Sequence, residues 1–143
     1  MVRVETMRGY AHPWLCDVMG HLNSRHIFAL FDDATFQLVA LLGCAFSEQQ
    51  KSGLGWADVR LEIDLSREIP AGTALLVQSC IVKLGTKSFT CRHELFTAYS
   101  EVLHARMTAV IACFDLAARR AAPLPNVFRD RAQLYMHDIG STQ

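Results

Sequence analysis

Between Asn23 and Gly43 the chain runs without Gly or Pro, and Ile27, Leu30, Phe31, Ala34, Leu38, Leu41 and Leu42 recur at three- and four-residue spacing. That period predicts an α-helix from Ser24 to about Leu42, with Asn23 as N-cap and Gly43 as the residue that stops it. Phe28, Ala29, Phe36, Val39 and Ala40 carry the apolar surface round most of the remaining circumference, leaving chiefly Asp32, Asp33, Thr35 and Gln37 as polar breaks. A helix of this kind is mostly buried, so the rest of the 143-residue chain has to wrap it.

Beyond the helix the pattern changes to that of a sheet. From Trp56 to Ser66, the residues Val59, Leu61, Ile63 and Leu65 alternate with charged ones, the period of a strand. Pro70-Ala71-Gly72-Thr73 predicts a turn, Ala74 to Leu84 a second strand, Gly85-Thr86 a tight hairpin connection, Lys87 to Thr97 a third strand and Val102 to Asp115 a fourth. With a short strand over residues 2–10, the order is strand, long helix, then an antiparallel meander of four. The expected fold class is α+β, a curved antiparallel sheet round one helix. It forms a single domain over residues 1–143, whose segment from about 126 onward is a short helix or a tail.

Charge and cysteine usage narrow the function classes. Lys+Arg 14 against Asp+Glu 14 leaves a formal net charge of +0, which gives no long-range attraction for a polyanion and argues against a nucleic-acid partner. The apolar runs Phe36 to Phe46 and Ala109 to Phe114 fall short of the roughly 20 residues a membrane span needs. A hydrophobic fraction of 51% in so small a chain predicts self-association. The five cysteines show no C-x-x-C pair, and the N-terminus has no secretory pattern, so a cytoplasmic location is expected.

The chemistry-bearing segment is Trp14-Leu15-Cys16-Asp17-Val18-Met19-Gly20-His21-Leu22-Asn23-Ser24. A carboxylate and a turn-forming glycine stand directly before a helix N-terminus, where free N–H groups stabilise an oxygen that becomes negative. If Asp17 folds back towards that terminus, the layout suits acyl transfer; otherwise Asp17 caps a loop or pairs with a nearby His. Asp32 and Asp33 are read as a carboxylate paired with a sheet cation and a solvated neighbour, or as a second water-orienting carboxylate. His21 and His26 share no helix face and have no completing ligand, so no metal site is expected. His12, His93, His104 and His137 read as ordinary surface or interface histidines, and Cys16 as a packing residue.

Asp17-x-x-Gly20-His21-x-Asn23, with a long helix containing Asp32-x-Ala34 directly after it, resembles the D-x-x-G-H-x-N-N motif and E-x-A segment of hotdog-fold acyl-CoA thioesterases. More narrowly it is similar to the 4-hydroxybenzoyl-CoA thioesterase group, and Lys87-Ser88-Phe89 with Arg92-His93 resembles the matching segment of that group. Leu15, Ser24 and Ile27 depart from the pattern, which often has an acidic residue, Asn and Tyr at those positions.

The resemblance implies a hotdog fold, with the central helix wrapped by a five-stranded antiparallel sheet, and a homodimer or dimer of dimers with the active site at the interface. It implies hydrolysis of an acyl-CoA thioester to a carboxylic acid and coenzyme A, with no metal and no cofactor. Asp17 would be nucleophile or general base, the backbone N–H near Ser24 would bind the oxyanion, and Gly20, His21 and Asn23 would shape the loop. Ile27, Phe28, Asp32, Trp56, Lys87 and Ser88 are the expected substrate-binding residues, Lys87 being the first candidate for the CoA phosphates ahead of Lys83 and Arg92. The rival readings are a hotdog dehydratase or hydratase, and a non-catalytic acyl-CoA-binding hotdog protein.

Overall fold

A computed structural model describes residues 3–136, so Val2 of the expected first strand and His137 lie outside the described residues. In chain order the elements are β1 (Val4–Tyr10), α1 (Ser24–Leu41), a one-turn α2 (Gln49–Ser52), β2 (Leu54–Leu65), β3 (Ala74–Leu84), β4 (Ser88–Thr97), β5 (Leu103–Asp115), a two-residue β6 (Arg120–Ala121) and α3 (Asn126–Ala132). The Asn23 side chain accepts from the Arg25 N–H at the start of α1, and Gly43 adopts φ +83° just beyond its end, as the sequence predicts.

The sheet order is β1-β3-β4-β5-β2, every pairing antiparallel, with β6 added beside β5. This corrects the expected meander of four: only β3, β4 and β5 adjoin one another in chain order, while β2 pairs with β5 at the opposite edge from β1. The reason is the helix. Because α1 connects β1 to β2, the chain crosses the concave face as helix and starts the next strand on the far side. Alternation identifies a strand but carries nothing about its partner.

Inward-facing Leu75, Val77, Ile81, Phe89, Cys91, Leu95, Met107, Ala109 and Ile111 are buried in one core with Ile27, Phe31, Ala34, Leu38 and Val39 of α1 and with Leu42 at its C-cap. Each such large side chain contributes about 1.5–3 kcal/mol on full burial. The helix is less enclosed than its composition suggested: Ala29, Phe36, Ala40 and Leu41 face out, Phe36 stacking on Phe46 at 4.2 Å between ring centroids. The end of the core near the α1 C-terminus is closed by Trp56, Phe89 and Phe128, with centroids 4.8–5.5 Å apart, and α3 supplies Phe128.

Strand β2 departs from simple alternation. A bulge between Asp58 and Arg60 changes the parity, so Trp56 and Asp58 share the concave face with Leu61, Ile63 and Leu65, while Val59 is the inserted residue. The last three of that face are 36%, 39% and 58% exposed. One chain covers the Trp56 end of the inner face of its edge strand but not the end carrying Leu61, Ile63 and Leu65.

A hydrogen-bonded chain crosses the core, and it overturns the surface reading of His93, which has no solvent exposure; His104, 4% exposed, is likewise buried. Thr35 of α1 donates to the Phe31 carbonyl (3.2 Å), and its oxygen accepts from His93 Nε2–H (2.9 Å). His93 Nδ1 accepts from Ser79 (2.5 Å), which accepts from Thr6 (2.7 Å), so helix, β4, β3 and β1 are joined in one direction with neutral groups. Burial lowers the His93 pKa from 6.5 to about 4. A base whose folded pKa is depressed is protonated first in the unfolded state. Its contribution is therefore fully present above pH 6.5 and is lost as pH falls towards 4, a difference of about 3 kcal/mol. Urea unfolding should show this decline beginning above pH 5, before carboxylates titrate, and His93→Gln, less stable at pH 7, should lose that early slope.

Candidate active site

The segment before α1 is folded by its own backbone. Asp17 N–H donates to the His21 carbonyl (2.8 Å), Gly20 N–H donates to the Asp17 carbonyl (3.0 Å), and Gly20 sits at φ +80°, a conformation that L side chains rarely adopt. Asp17 Oδ1 accepts from the N–H groups of Met19 (2.9 Å) and His21 (3.3 Å). One carboxylate oxygen is thus anchored, and Oδ2 has no protein donor among the described residues.

This loop is fastened to the connection between β2 and β3. Leu22 N–H donates to the Ile69 carbonyl (2.8 Å), Ala71 N–H to the Gly20 carbonyl (3.1 Å), and His21 forms an isolated bridge with Pro70. Asn23 N–H donates to the Leu15 carbonyl (3.1 Å), while the Asn23 side chain and carbonyl take the N–H groups of Arg25, His26 and Ile27. The N–H of Ser24 is left without a protein acceptor among the described residues, at the positive end of an 18-residue helix.

A cavity of about 270 Å³ opens there, lined by Asp17, His21, Ser24 and Ile27 on one side and by Leu65, Arg67, Glu68 and Ile69 on the other. Asp17, with one free carboxylate oxygen, and Ser24, with a free helix N–H, both line this space, beside the buried apolar side chains of Leu22, Ile27 and Ile69 and the exposed Leu65. His21 Nε2 lies 3.3 Å from Glu68 Oε2, so its ring turns to the far wall while its backbone holds Asp17.

The expected residues around the loop therefore meet as a unit: Asp17, His21, Ser24 and Ile27 line the cavity, Asn23 caps the helix that bounds it, and Gly20 makes the turn. Phe28 and Asp32 lie further along α1, outside the lining. Asp32 forms no ion pair among the described residues, against the expected sheet cation. Its carboxyl is pushed up first by burial and then by the Asp58 and Asp33 carboxylates. Trp56, Lys87 and Ser88 stand at the other end of the sheet from Asp17, towards the far end of α1, a helix about 27 Å long. Trp56 donates to the Cys44 carbonyl (3.4 Å) within the aromatic cluster, and Lys87 lines a separate cavity with Asp115 and Arg120.

The wall from Leu65 to Ile69 is what sequence reasoning missed. Leu65 ends β2 and the other four fall between it and a Pro-Ala-Gly turn, and the pairing of β2 with β5 sets where that segment lies. Four of the five cysteines are poor nucleophiles, since burial pushes the Cys91 thiol up to about 12 and raises Cys44, Cys80 and Cys113 as well, while the fifth, Cys16, donates its thiol to the His12 carbonyl (3.4 Å) and does not line the cavity.

The family model of the thioesterase-like superfamily matches residues 11–132. The chain belongs to this family. Its curled sheet round one helix is the hotdog fold, and thioester hydrolysis is the reaction class of the superfamily. The 1,4-dihydroxy-2-naphthoyl-CoA thioesterase Slr0204 of Synechocystis is similar at 20% identity and a TM-score of 0.81, over 92% of this chain and 96% of that one. Protein SAV2348 of Staphylococcus aureus, solved in complex with CoA, is similar at 13% identity and a TM-score of 0.87, over 100% and 92% of the two chains. The probable thioesterase YbaW of Escherichia coli gives 18% identity and a TM-score of 0.74 over 90% and 97%. At these identities the likeness carries the fold. No curated protein gives a significant sequence match.

The thioesterase-like chain depends on its helix cap at this site. Asn23→Ala should cost about 1 kcal/mol in urea unfolding, through loss of the Arg25 N–H acceptor.

Proposed function

We propose that the protein is an acyl-CoA thioesterase of the 4-hydroxybenzoyl-CoA thioesterase-like group, with Asp17 as its catalytic carboxylate. The observation that carries this reading is the pairing of a half-anchored carboxylate with the free Ser24 N–H on one cavity. The substrate's thioester carbonyl sits between them. Asp17 Oδ2 either attacks the carbonyl carbon, giving a mixed anhydride that water then cleaves, or takes a proton from the water that attacks. In both cases the C–S bond breaks, the thiolate of coenzyme A leaves and is protonated, and the acid is released. The carbonyl oxygen gains charge at the helix N-terminus, where the Ser24 N–H and the helix dipole stabilise it without rearrangement.

The names of similar solved structures support the substrate class: one acts on an aromatic acyl-CoA and another holds CoA. The chemistry needs no metal and no cofactor, CoA being part of the substrate, and a cytoplasmic location with no nucleic-acid or membrane partner fits it. A dehydratase needs a histidine and a carboxylate converging on one substrate carbon, whereas the His21 ring is directed at Glu68, which favours hydrolysis. Asp17→Asn keeps the oxygen that accepts from Met19 yet removes the charge. It should lower thiol release from acyl-CoA thioesters by a factor of about 10² to 10⁴ with folding unchanged. Full activity of Asp17→Ala across a broad acyl-CoA panel would sink the mechanism.

The active unit in this reading is a homodimer, or a dimer of dimers, joined along β2. Its uncovered inner face, Leu61, Ile63 and Leu65, and its unpaired edge both call for a second copy. Antiparallel pairing of two β2 strands would bring the partner's Trp56 end towards the Leu65 end that borders Asp17, so residues separated by α1 in one chain would share a site across two. Ile63→Asp should shift the protein to monomer in sedimentation and reduce hydrolysis in the same sample.

A further inference from the structure

We infer that Asp32 and Asp58 make the joint along β2 proton-sensitive: a second copy binds this face more tightly as pH falls, because covering it takes up protons. This rests on the dimeric active unit of the reading above.

Asp58 stands on the concave face of β2 with Leu61, Ile63 and Leu65, and it is exposed in one chain. Asp32 of α1, one turn after the half-buried Phe28, is near enough for the two charges to act on each other. The charged groups that face Asp32 are Asp58 of β2 and Asp33 of its own helix, all of one sign. On β5 the residue opposite Asp58 is the apolar Ile111. Arg60, the one cation of β2, lies on the other face of the strand, opposite Val110, and is paired with Glu62. Neither Asp32 nor Asp58 has an ion-pair partner among the described residues. Burial already raises the Asp32 carboxyl in one chain, and the two neighbouring carboxylates raise it further.

A second copy adds charge of the same sign, since a two-fold joint places the same residues on both sides. Asp58 is close to the middle of β2 (Leu54–Leu65). When two full-length strands pair antiparallel, the two Asp58 residues lie about three residues apart along the strand, roughly 10 Å. The joint thus gathers carboxylates around its axis and takes them out of water, where an ionised carboxylate without a partner is costly. Protonation removes that cost.

The sign follows from linkage. A carboxyl whose pKa is higher in the dimer than in the monomer binds more protons in the dimer. The association constant therefore grows as pH falls through the dimer value and levels off below the monomer value. The overall charge acts in the opposite direction: a chain with net charge +0 at pH 7 becomes positive in acid, which drives copies apart. A joint that tightens in acid reports its own carboxylates.

Sedimentation of the full chain between about pH 7.5 and 5 tests this on wild type, Asp58→Asn and Asp32→Asn. The wild-type dimer Kd should fall by about tenfold to a hundredfold over that range. Asp58→Asn, at an exposed position, should associate about tenfold more tightly than wild type at the upper end of the range and lose most of the slope, and Asp32→Asn should do the same. A Kd independent of pH, a dimer that loosens in acid, a wild type that stays monomeric throughout, or an Asp58→Asn that keeps the full slope would each overturn the inference. Thiol release separates it from the reaction itself. At each pH the ratio of specific activities in dilute and concentrated enzyme cancels the titration of Asp17, and it should approach one as pH falls. If the dimer tightens in acid but hydrolyses no thioester, the joint stands and the thioesterase reading falls; if thioesters are hydrolysed and Kd does not change with pH, the joint falls alone.

Discussion

Everything else in the molecule depends on how α1 is buried. A helix carrying Ile27, Phe31, Ala34, Leu38, Val39 and Leu42 on one broad face needs a surface of matching curvature, and a single twisted antiparallel sheet supplies it. Crossing the concave side of that sheet sends β1 and β2 to opposite edges. It also delivers the helix N-terminus to the end of the sheet where β2 finishes and the 66–73 connection begins. The site is a consequence of that crossing: Asp17 precedes the helix, and Leu65 to Ile69 lie at and beyond the end of the strand that the helix leads into.

The buried polar chain from Thr6 to Thr35 belongs to the same constraint. An apolar interface alone would tolerate small rotations of α1, since hydrophobic burial is not directional. Hydrogen bonds through His93 are directional, and breaking one inside the core leaves a desolvated partner, which costs about 1–3 kcal/mol. They fix the rotation of the helix, and with it the direction in which the Ser24 N–H points. The loop holding Asp17 is fastened independently through Leu22 to Ile69 and Gly20 to Ala71. Carboxylate and helix terminus are therefore set by separate bonds against one wall, an arrangement that needs little reorganisation during a reaction.

Legibility in the sequence depended on the range of the interaction. The limits of α1, the Asn23 cap, the left-handed Gly43 and the hairpin between β3 and β4 are local, and spacing and turn chemistry revealed them. The Asp17 to Ser24 segment was legible for the same reason, since its hydrogen bonds are mostly internal. Neighbours in space were not. The pairing of β2 with β5, the burial of His93, the parity change at Val59 and the approach of Arg67 and Glu68 to the site all join residues far apart in the chain. A histidine in an alternating strand looks the same whether its side faces solvent or a threonine of the helix.

The sequence by itself determined the helix, its N-terminal cap, the strands and the carboxylate-glycine-histidine loop, because each rests on contacts within a few residues or on a period that repeats along the chain. Only the tertiary structure decided which strand lies at which edge, that Leu61, Ile63 and Leu65 on the concave face of β2 stay uncovered in one chain, and that the cation beside Asp17 is Arg67 while Lys87 stands at the opposite end of the same chain. Those outcomes are set by one rigid helix of about 27 Å laid across the sheet, a distance that separates some sequence neighbours and joins residues such as Asp17 and Arg67 that the chain keeps apart.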